Sequence, residues 1–274
     1  VTADAALEPL GEGVWAWLQQ PAGHDRPNAG VVADDDGITV VDTLVVPSQA
    51  AAAVAALEPL GLPIRRAVYT SAHAEATGGS SVFWSAARYG RPLTSALLDQ
   101  PANPAALARL HPGVADELVE PTTRPVSHTV DTAAWLTPRV CAVPTAGQMA
   151  ENLVVLVPEA DVLFAGAMAC FGVTPNAFDG DPAAWAEALA ELAGLATTVV
   201  PGIGPVGGAD ELVALEAYLW ACVEAEGDPA AIPPGPWDRW PDRHFDAVNV
   251  ERAAMVARGD HSVPPAMLRL LGLA

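Results

Sequence analysis

The chain has 274 residues, 51% of them hydrophobic, which is enough to bury a sizeable core in one large α/β domain or two small ones. Its 33 acidic and 13 basic residues leave a formal net charge of −20, an acidic field that argues against nucleic acid and anionic membrane surfaces as partners. All 13 basic residues are Arg, so a Schiff base, a pyridoxal-phosphate anchor and a P-loop are excluded, because each needs a Lys amine.

Residues 14–19 read as a first strand, 28–33 as a second and 38–43 as a third, with the Asp34-Asp35-Asp36-Gly37 turn joining the last two as a hairpin. The polar, Pro-rich loop 21–27 between the first two carries His24, Asp25 and Arg26. Ser48 reads as the N-cap of an Ala-rich helix that runs to Leu57, before Pro59 and Gly61 end it. Residues 66–69 form a short buried strand, 71–79 a polar loop, and 80–88 a helix. A strand that ends in a polar loop and opens a helix is a common place for a site in an α/β protein.

From residue 92 to 125 the pattern is broken by Pro92, Pro101, Pro104, Pro112 and Pro121, leaving short helices near 94–99 and 104–110. His111, beside Pro112, reads as a helix-end or surface residue, and His128 and Asp131 fall on an edge strand over 126–131. Strands follow at 140–144, 153–158 and 162–166. Asp181 with Pro182 starts a helix whose Trp185, Leu189 and Leu192 share one face. A strand at 198–200 enters the turn Pro201-Gly202-Ile203-Gly204-Pro205, and a helix spans about 210–225. Residues 1–226 thus read as one domain, and 227–274 as a linker and helical tail packed on it. Trp237 and Trp240 in the linker either pack it down or meet a partner. Cys141, Cys170 and Cys222 are too widely spaced for a zinc ribbon and odd in number, so buried free thiols are expected. There is no apolar run of the roughly 18 residues that a membrane span needs, and the first residues lack a basic, then apolar, secretory signal. A cytoplasmic protein is the expectation.

The stretch Tyr69-Thr70-Ser71-Ala72-His73-Ala74-Glu75-Ala76-Thr77-Gly78-Gly79 resembles the Thr-His-x-His-x-Asp-His-x-Gly-Gly signature of the metallo-β-lactamase-fold hydrolases. Three further stretches resemble that family in the correct order. Val40-Val41-Asp42-Thr43 matches its structural Asp at a strand end. Gly147-Gln148-Met149-Ala150-Glu151-Asn152, with Pro158 and Leu163-Phe164-Ala165-Gly166, looks like its Gly-His-Thr…Pro…Leu-Phe-x-Gly-Asp run, and residues 201–205 look like Pro-Gly-His-Gly-Pro. The resemblance covers roughly residues 10–225 and implies an α/β fold, a four-layer αβ/βα sandwich with a C-terminal helical extension. The Lys-free, Ala- and Arg-rich composition and the tail resemble an actinobacterial branch associated with polyketide pathways.

The seven metal-ligand positions implied by the resemblance carry Ser71, His73, Glu75, Ala76, Gln148, Ala167 and Ile203. A catalytic zinc needs three protein ligands of His, Asp, Glu or Cys type. Ala and Ile cannot coordinate, and a neutral Gln amide is a weak ligand. No dinuclear site, no metal-bound hydroxide and no cofactor are therefore expected. A single ion on His73, Glu75 and an imported group such as His24 is the alternative.

The residues that remain suit proton transfer, such as cyclisation, dehydration, isomerisation or lyase chemistry, on a polyketide-like or acyl small molecule. His73 and Glu75 are the expected acid and base, Gln148 a carbonyl-polarising donor, and Ser71 a nucleophile variant. His24, Arg26, Cys170, Ile203 and Ala167 are expected to line the substrate pocket. A non-catalytic small-molecule-binding protein and a pseudoenzyme partner subunit stay open beside this reading, as does a homodimer. A His73 that merely bonds Asp42 or Glu75 is also open.

Overall fold

Alternation along valine-rich strands decides the layers. The computed structural model describes residues 4–100, 102–120 and 123–273, so the first three residues and the breaks expected at Pro101 and Pro121 lie outside the described residues. In chain order the elements are β1 (Asp4–Gly11), β2 (Val14–Gln20), β3 (Ala29–Asp34), β4 (Gly37–Val41), α1 (Pro47–Leu57), β5 (Ile64–Val68), α2 (Ala74–Thr77), β6 (Ala87–Gly90), α3 (Pro92–Leu98) and α4 (Pro104–Leu110). The second half holds β7 (His128–Thr129), β8 (Ala134–Trp135), β9 (Cys141–Thr145), β10 (Asn152–Val157), β11 (Val162–Cys170), α5 (Pro182–Leu192), β12 (Thr198–Ile203), α6 (Ala209–Glu224), α7 (Phe245–Val256) and α8 (Pro265–Leu271). Among the described residues, one sheet runs β1 to β7 in sequence order, and the other runs β12-β11-β10-β9-β8.

Successive side chains of a strand face opposite sides. Leu153, Val155 and Val157 of β10 and Val162 and Phe164 of β11 point between the sheets, against Val14, Val32, Val41 and Val68. Their neighbours Val154, Leu163 and Ala165 point outward onto Trp185, Leu189, Leu212 and Leu219 of α5 and α6. On the other sheet, Val31, Ile38 and Val40 turn outward to Ala50 and Leu57 of α1. The result is the expected four-layer αβ/βα sandwich with C-terminal helices. Burying a side chain such as Phe164 contributes about 1.5–3 kcal/mol.

The local starts and stops are mixed in outcome. Asp181 caps α5 as expected, accepting from the Ala183 and Ala184 N–H groups at 3.0 and 3.2 Å. Ser48 caps nothing; it bonds Glu117, and α1 begins on Pro47 without a side-chain cap. The sheet begins earlier than expected, at β1, whose Ala5-Ala6-Leu7-Glu8 has no strand pattern and is extended by pairing with β2 at the sheet edge, where Pro9 is tolerated. The helix expected over 80–88 is instead a 3₁₀ turn over Ser80–Phe83 followed by β6, because β6 pairs in parallel between β5 and β7. Trp84, in that segment, is 71% exposed.

The tail is folded onto the second sheet's helices. Trp237 is buried, and it and Trp240 pack against Tyr218 of α6, so these indoles are used inside the chain. All three cysteines are buried free thiols.

Candidate active site

The site lies where the ends of β4, β5, β10, β11 and β12 meet. Thr70, just after β5, ties four of these ends together. Its N–H and Oγ1 donate to Asp42 at 2.8 and 2.7 Å, its Oγ1 accepts from Ala167 N–H at 3.0 Å, and its carbonyl accepts from Leu153 N–H at 3.0 Å. The approach is close enough that a side chain at Gly166 (φ 50°) would run into Thr70. Gly78 and Gly79 are required for the same reason, since a Cβ there would strike the carbonyl oxygens of Val45 and Thr43. Burial pushes the Asp42 carboxyl up to about 7, against the two hydrogen bonds from Thr70.

Above this floor is a largely apolar cavity of about 210 Å³. Leu107, Leu110, Phe178, Ile203 and Phe245 supply hydrophobic lining, and Ser71, His73, Glu75 and Gln148 polar groups. His73 is saturated. Its Nε2 lies 3.0 Å from Asp179 Oδ2 and its Nδ1 lies 3.0 Å from Gln148 Nε2, while Phe178 stacks on the ring at 5.3 Å. Gln148 is itself oriented, because its Oε1 accepts from Asn152 Nδ2 at 3.1 Å. Asn152 is locked in turn by Met149 N–H on its Oδ1 and the Thr70 carbonyl on its Nδ2. An amide N–H donates to Nδ1 only when that nitrogen is bare, so these bonds fit the neutral Nε2–H tautomer. Burial also disfavours charge on His73, yet the Asp179 carboxylate, with Glu75 further off, outweighs it and lifts the ring to about 9. Protonation at Nδ1 therefore works against Gln148, and the upward direction holds with the amide resisting it.

Asp179 sits on the loop between β11 and α5, and the tail holds that loop. Asn249 of α7 accepts from Ala177 N–H and donates to the Pro175 carbonyl, both at 2.8 Å, and Arg252 donates to the Gly180 carbonyl at 2.6 Å.

The opposite wall is unsaturated. His24 donates through Nε2 to the Thr174 carbonyl at 3.0 Å and presents Nδ1 to Glu75 Oε1 at 3.9 Å. His111 donates through Nδ1 to the His24 carbonyl at 3.1 Å and presents Nε2 to Glu75 Oε2 at 4.0 Å. A carbonyl only accepts, so each ring carries a proton on its pinned nitrogen and turns its other nitrogen towards the carboxylate. Burial alone would raise Glu75, but the surrounding imidazoles of His111, His24 and His73 prevail and hold it down at about 2. Burial likewise works against charge on His24, and Glu75 together with the Thr174 carbonyl raises it above the ordinary imidazole value.

The expected residues divide accordingly. Ser71, His73, Glu75, Gln148, His24, Ala167, Cys170 and Ile203 all line the cavity, whereas Arg26 does not; it bonds the Pro21 carbonyl on an outer groove. Ser71 is not paired with the His73 ring, since both ring nitrogens are taken and its Oγ accepts from the His73 N–H at 3.2 Å. Burial beside Glu75 pushes the Cys170 thiol up to about 12, which keeps it an inert lining group. His111 does stand at a helix end, as the C-cap of α4, but not at the surface. It is 2% exposed and faces Glu75, because α4 and the following 3₁₀ turn lay it across the β2–β3 loop. Asp179, Phe178 and Phe245 carried no sequence signal at all. His128 is exposed and stacks on Tyr89.

The donor set does not fit the metal centre that the fold suggests. His73 spends both nitrogens on Gln148 and Asp179, and Ala76, Ala167 and Ile203 offer no donor. Among the described residues no group of three or more His, Cys, Asp or Glu side chains is arranged to hold a metal ion.

No protein-family model matches the chain. Solved structures do. A metallo-β-lactamase from Pseudomonas aeruginosa in its mono-zinc form superposes with TM-score 0.62 at 22% identity, over 84% of this chain and 97% of that one. One from Hirschia baltica gives 0.60 at 21%, over 78% and 97%, and one from Erythrobacter litoralis, with β-mercaptoethanol in its active site, 0.58 at 24%, over 78% and 96%. At these identities the likeness establishes the fold.

Proposed function

We propose that this metallo-β-lactamase-fold chain is a metal-independent acid–base enzyme acting on a polyketide-like or acyl small molecule. The observation that carries the reading is the pair His24 and Glu75: a pinned imidazole with its free nitrogen 3.9 Å from a carboxylate that faces an apolar cavity. His24 is the proton carrier, and Glu75 orients it and balances the charge of the imidazolium. Gln148 uses one amide hydrogen on His73 and has a second to offer a substrate carbonyl. The apolar lining suits a carbon skeleton activated by one or two carbonyls, and the reactions in reach are cyclisation, dehydration, isomerisation and lyase steps that begin with removal of a proton beside a carbonyl. Secondary metabolism of an actinobacterial type is the setting proposed from the composition.

The same apolar cavity supports a second reading, a protein that holds a hydrophobic metabolite without turning it over. Proton NMR in D₂O separates the two. A panel of β-ketoacyl thioesters is expected to exchange the proton between its carbonyls for deuterium with the wild type, and far more slowly with Glu75→Gln or His24→Gln. Probes that bind with no exchange would give the second reading; exchange or hydrolysis appearing only after zinc is added would return a rebuilt metal site.

A further inference from the structure

We infer that His111 and Asp25 form a proton path from the cavity to the outer groove, an inference that rests on the acid–base reading above. A proton taken from a substrate in a largely apolar cavity leaves through the polar side chains that reach its wall. Glu75 and His111 line the inner cavity, whereas Asp25 lines a separate groove with Arg26, Arg109 and Pro112. His24, Leu110 and Phe245 belong to both spaces and form the partition. His111 crosses that partition. Its Nε2 is 4.0 Å from Glu75 Oε2 on the inside, and its Nδ1 is 3.8 Å from Asp25 Oδ1 on the outside.

Asp25 supplies the second observation. Its Oδ2 accepts from Gly113 N–H at 2.9 Å, but its Oδ1 is buried with no hydrogen-bond partner, and His111 Nδ1–H is the donor beside it. Buried polar atoms are rarely left in this way without a role. The Nδ1–H now bonded to the His24 carbonyl at 3.1 Å needs a small swing to reach that oxygen. In the outward step, a proton from the Glu75 side binds Nε2 and the proton on Nδ1 passes to Asp25 Oδ1, and the Asp25 carboxyl, which borders the groove, gives it up there. The ring gains one proton and loses one, ending as the Nε2–H tautomer. An inward trip runs the same transfers in reverse and restores the starting tautomer.

The test is NMR of the full chain labelled with ¹⁵N-histidine, following exchange of the His111 ring proton with solvent. Asp25→Asn keeps an oxygen for the Gly113 N–H and replaces the proton-accepting oxygen beside His111 with an amide NH₂. Exchange should slow by about tenfold or more, and added formate, a small carboxylate, should restore it. Equal rates in wild type and variant overturn the path, and so does slowed exchange that formate fails to rescue, which would mean that Asp25 only supports the loop. Should Asp25→Asn not fold, His111→Asn, whose amide still reaches the His24 carbonyl, replaces it. A deuterated β-ketoacyl probe should then get its own deuterium back instead of losing it to water, and full loss overturns the path. Failure of the acid–base reading itself shows separately, as a wild type that exchanges no probe.

Discussion

The two walls of the cavity treat a histidine in opposite ways. On the strand-end wall, His73 is held at both nitrogens, by Asp179 and by a Gln148 that Asn152 fixes in turn. On the loop wall, His24 and His111 are each held at one nitrogen by a backbone carbonyl and leave the other facing Glu75. A hydrogen-bonded network of this kind stabilises and specifies a structure, and in it both His73 nitrogens are taken while Asp179 Oδ1 is left without a partner. An imidazole with a free nitrogen beside a carboxylate can move a proton. His73, the one histidine at a signature position, is tied up in hydrogen bonds, whereas His24 and His111, outside the signature, each keep one nitrogen for Glu75 within it.

If that division is right, the walls should respond differently to substitution. The largest effect is expected on the loop wall: Glu75→Gln should cut deuterium exchange of a responsive probe by about 10²–10⁴-fold, the usual share of general acid–base catalysis. Next comes Asn152→Leu on the strand-end wall. Asn152 is fully buried and serves Met149, Thr70 and Gln148, so its loss should cost roughly 2–4 kcal/mol in urea unfolding. The fraction that stays folded should lose less exchange than Glu75→Gln does, because Gln148 loses its Asn152 partner while His24 and Glu75 are untouched. A reversal of these two results would break the comparison.

A smaller effect sharpens it. His73 has its folded-state value raised to about 9, so it favours the folded state fully below its unfolded value and loses that contribution as pH rises through 9. Wild-type stability should therefore fall by about 1–2 kcal/mol between pH 6.5 and 9, less than the full shift because Gln148 resists a proton on Nδ1. His73→Asn should flatten that limb. Glu75, held down at about 2, acts in the other direction; its contribution is present above the ordinary carboxylate range and is lost as pH falls towards 2. The smallest effect is the response to zinc. A site filled at a hundred times its dissociation constant would add about 2.7 kcal/mol to stability; here excess Zn²⁺ should move the melting temperature little, and elemental analysis after desalting should find less than about one ion per ten chains.

Much of the scaffold was legible in the chain. Apolar runs at β3, β4, β10 and β11 and the Asp181-Pro182 start of α5 carry their reasons locally, in strand-forming side chains and an N-cap. Elements with weak local preference were not legible. β1 and β6 are extended because neighbouring strands pair with them, and neither has a composition that demands it.

For the site, the sequence by itself determined which residues could not hold a metal and which cluster of polar side chains, Ser71 to Glu75, would face the cavity. Only the tertiary structure decided what each would do there. His73 meets Asp179 across 106 residues, and His111 meets the His24 carbonyl across 87. Asp179 is held in place by α7 through Asn249 and Arg252 acting on its loop. Periodicity and capping report on neighbours within a few residues of one another. Which nitrogen of a histidine is left free depends on partners that only chain packing brings within reach.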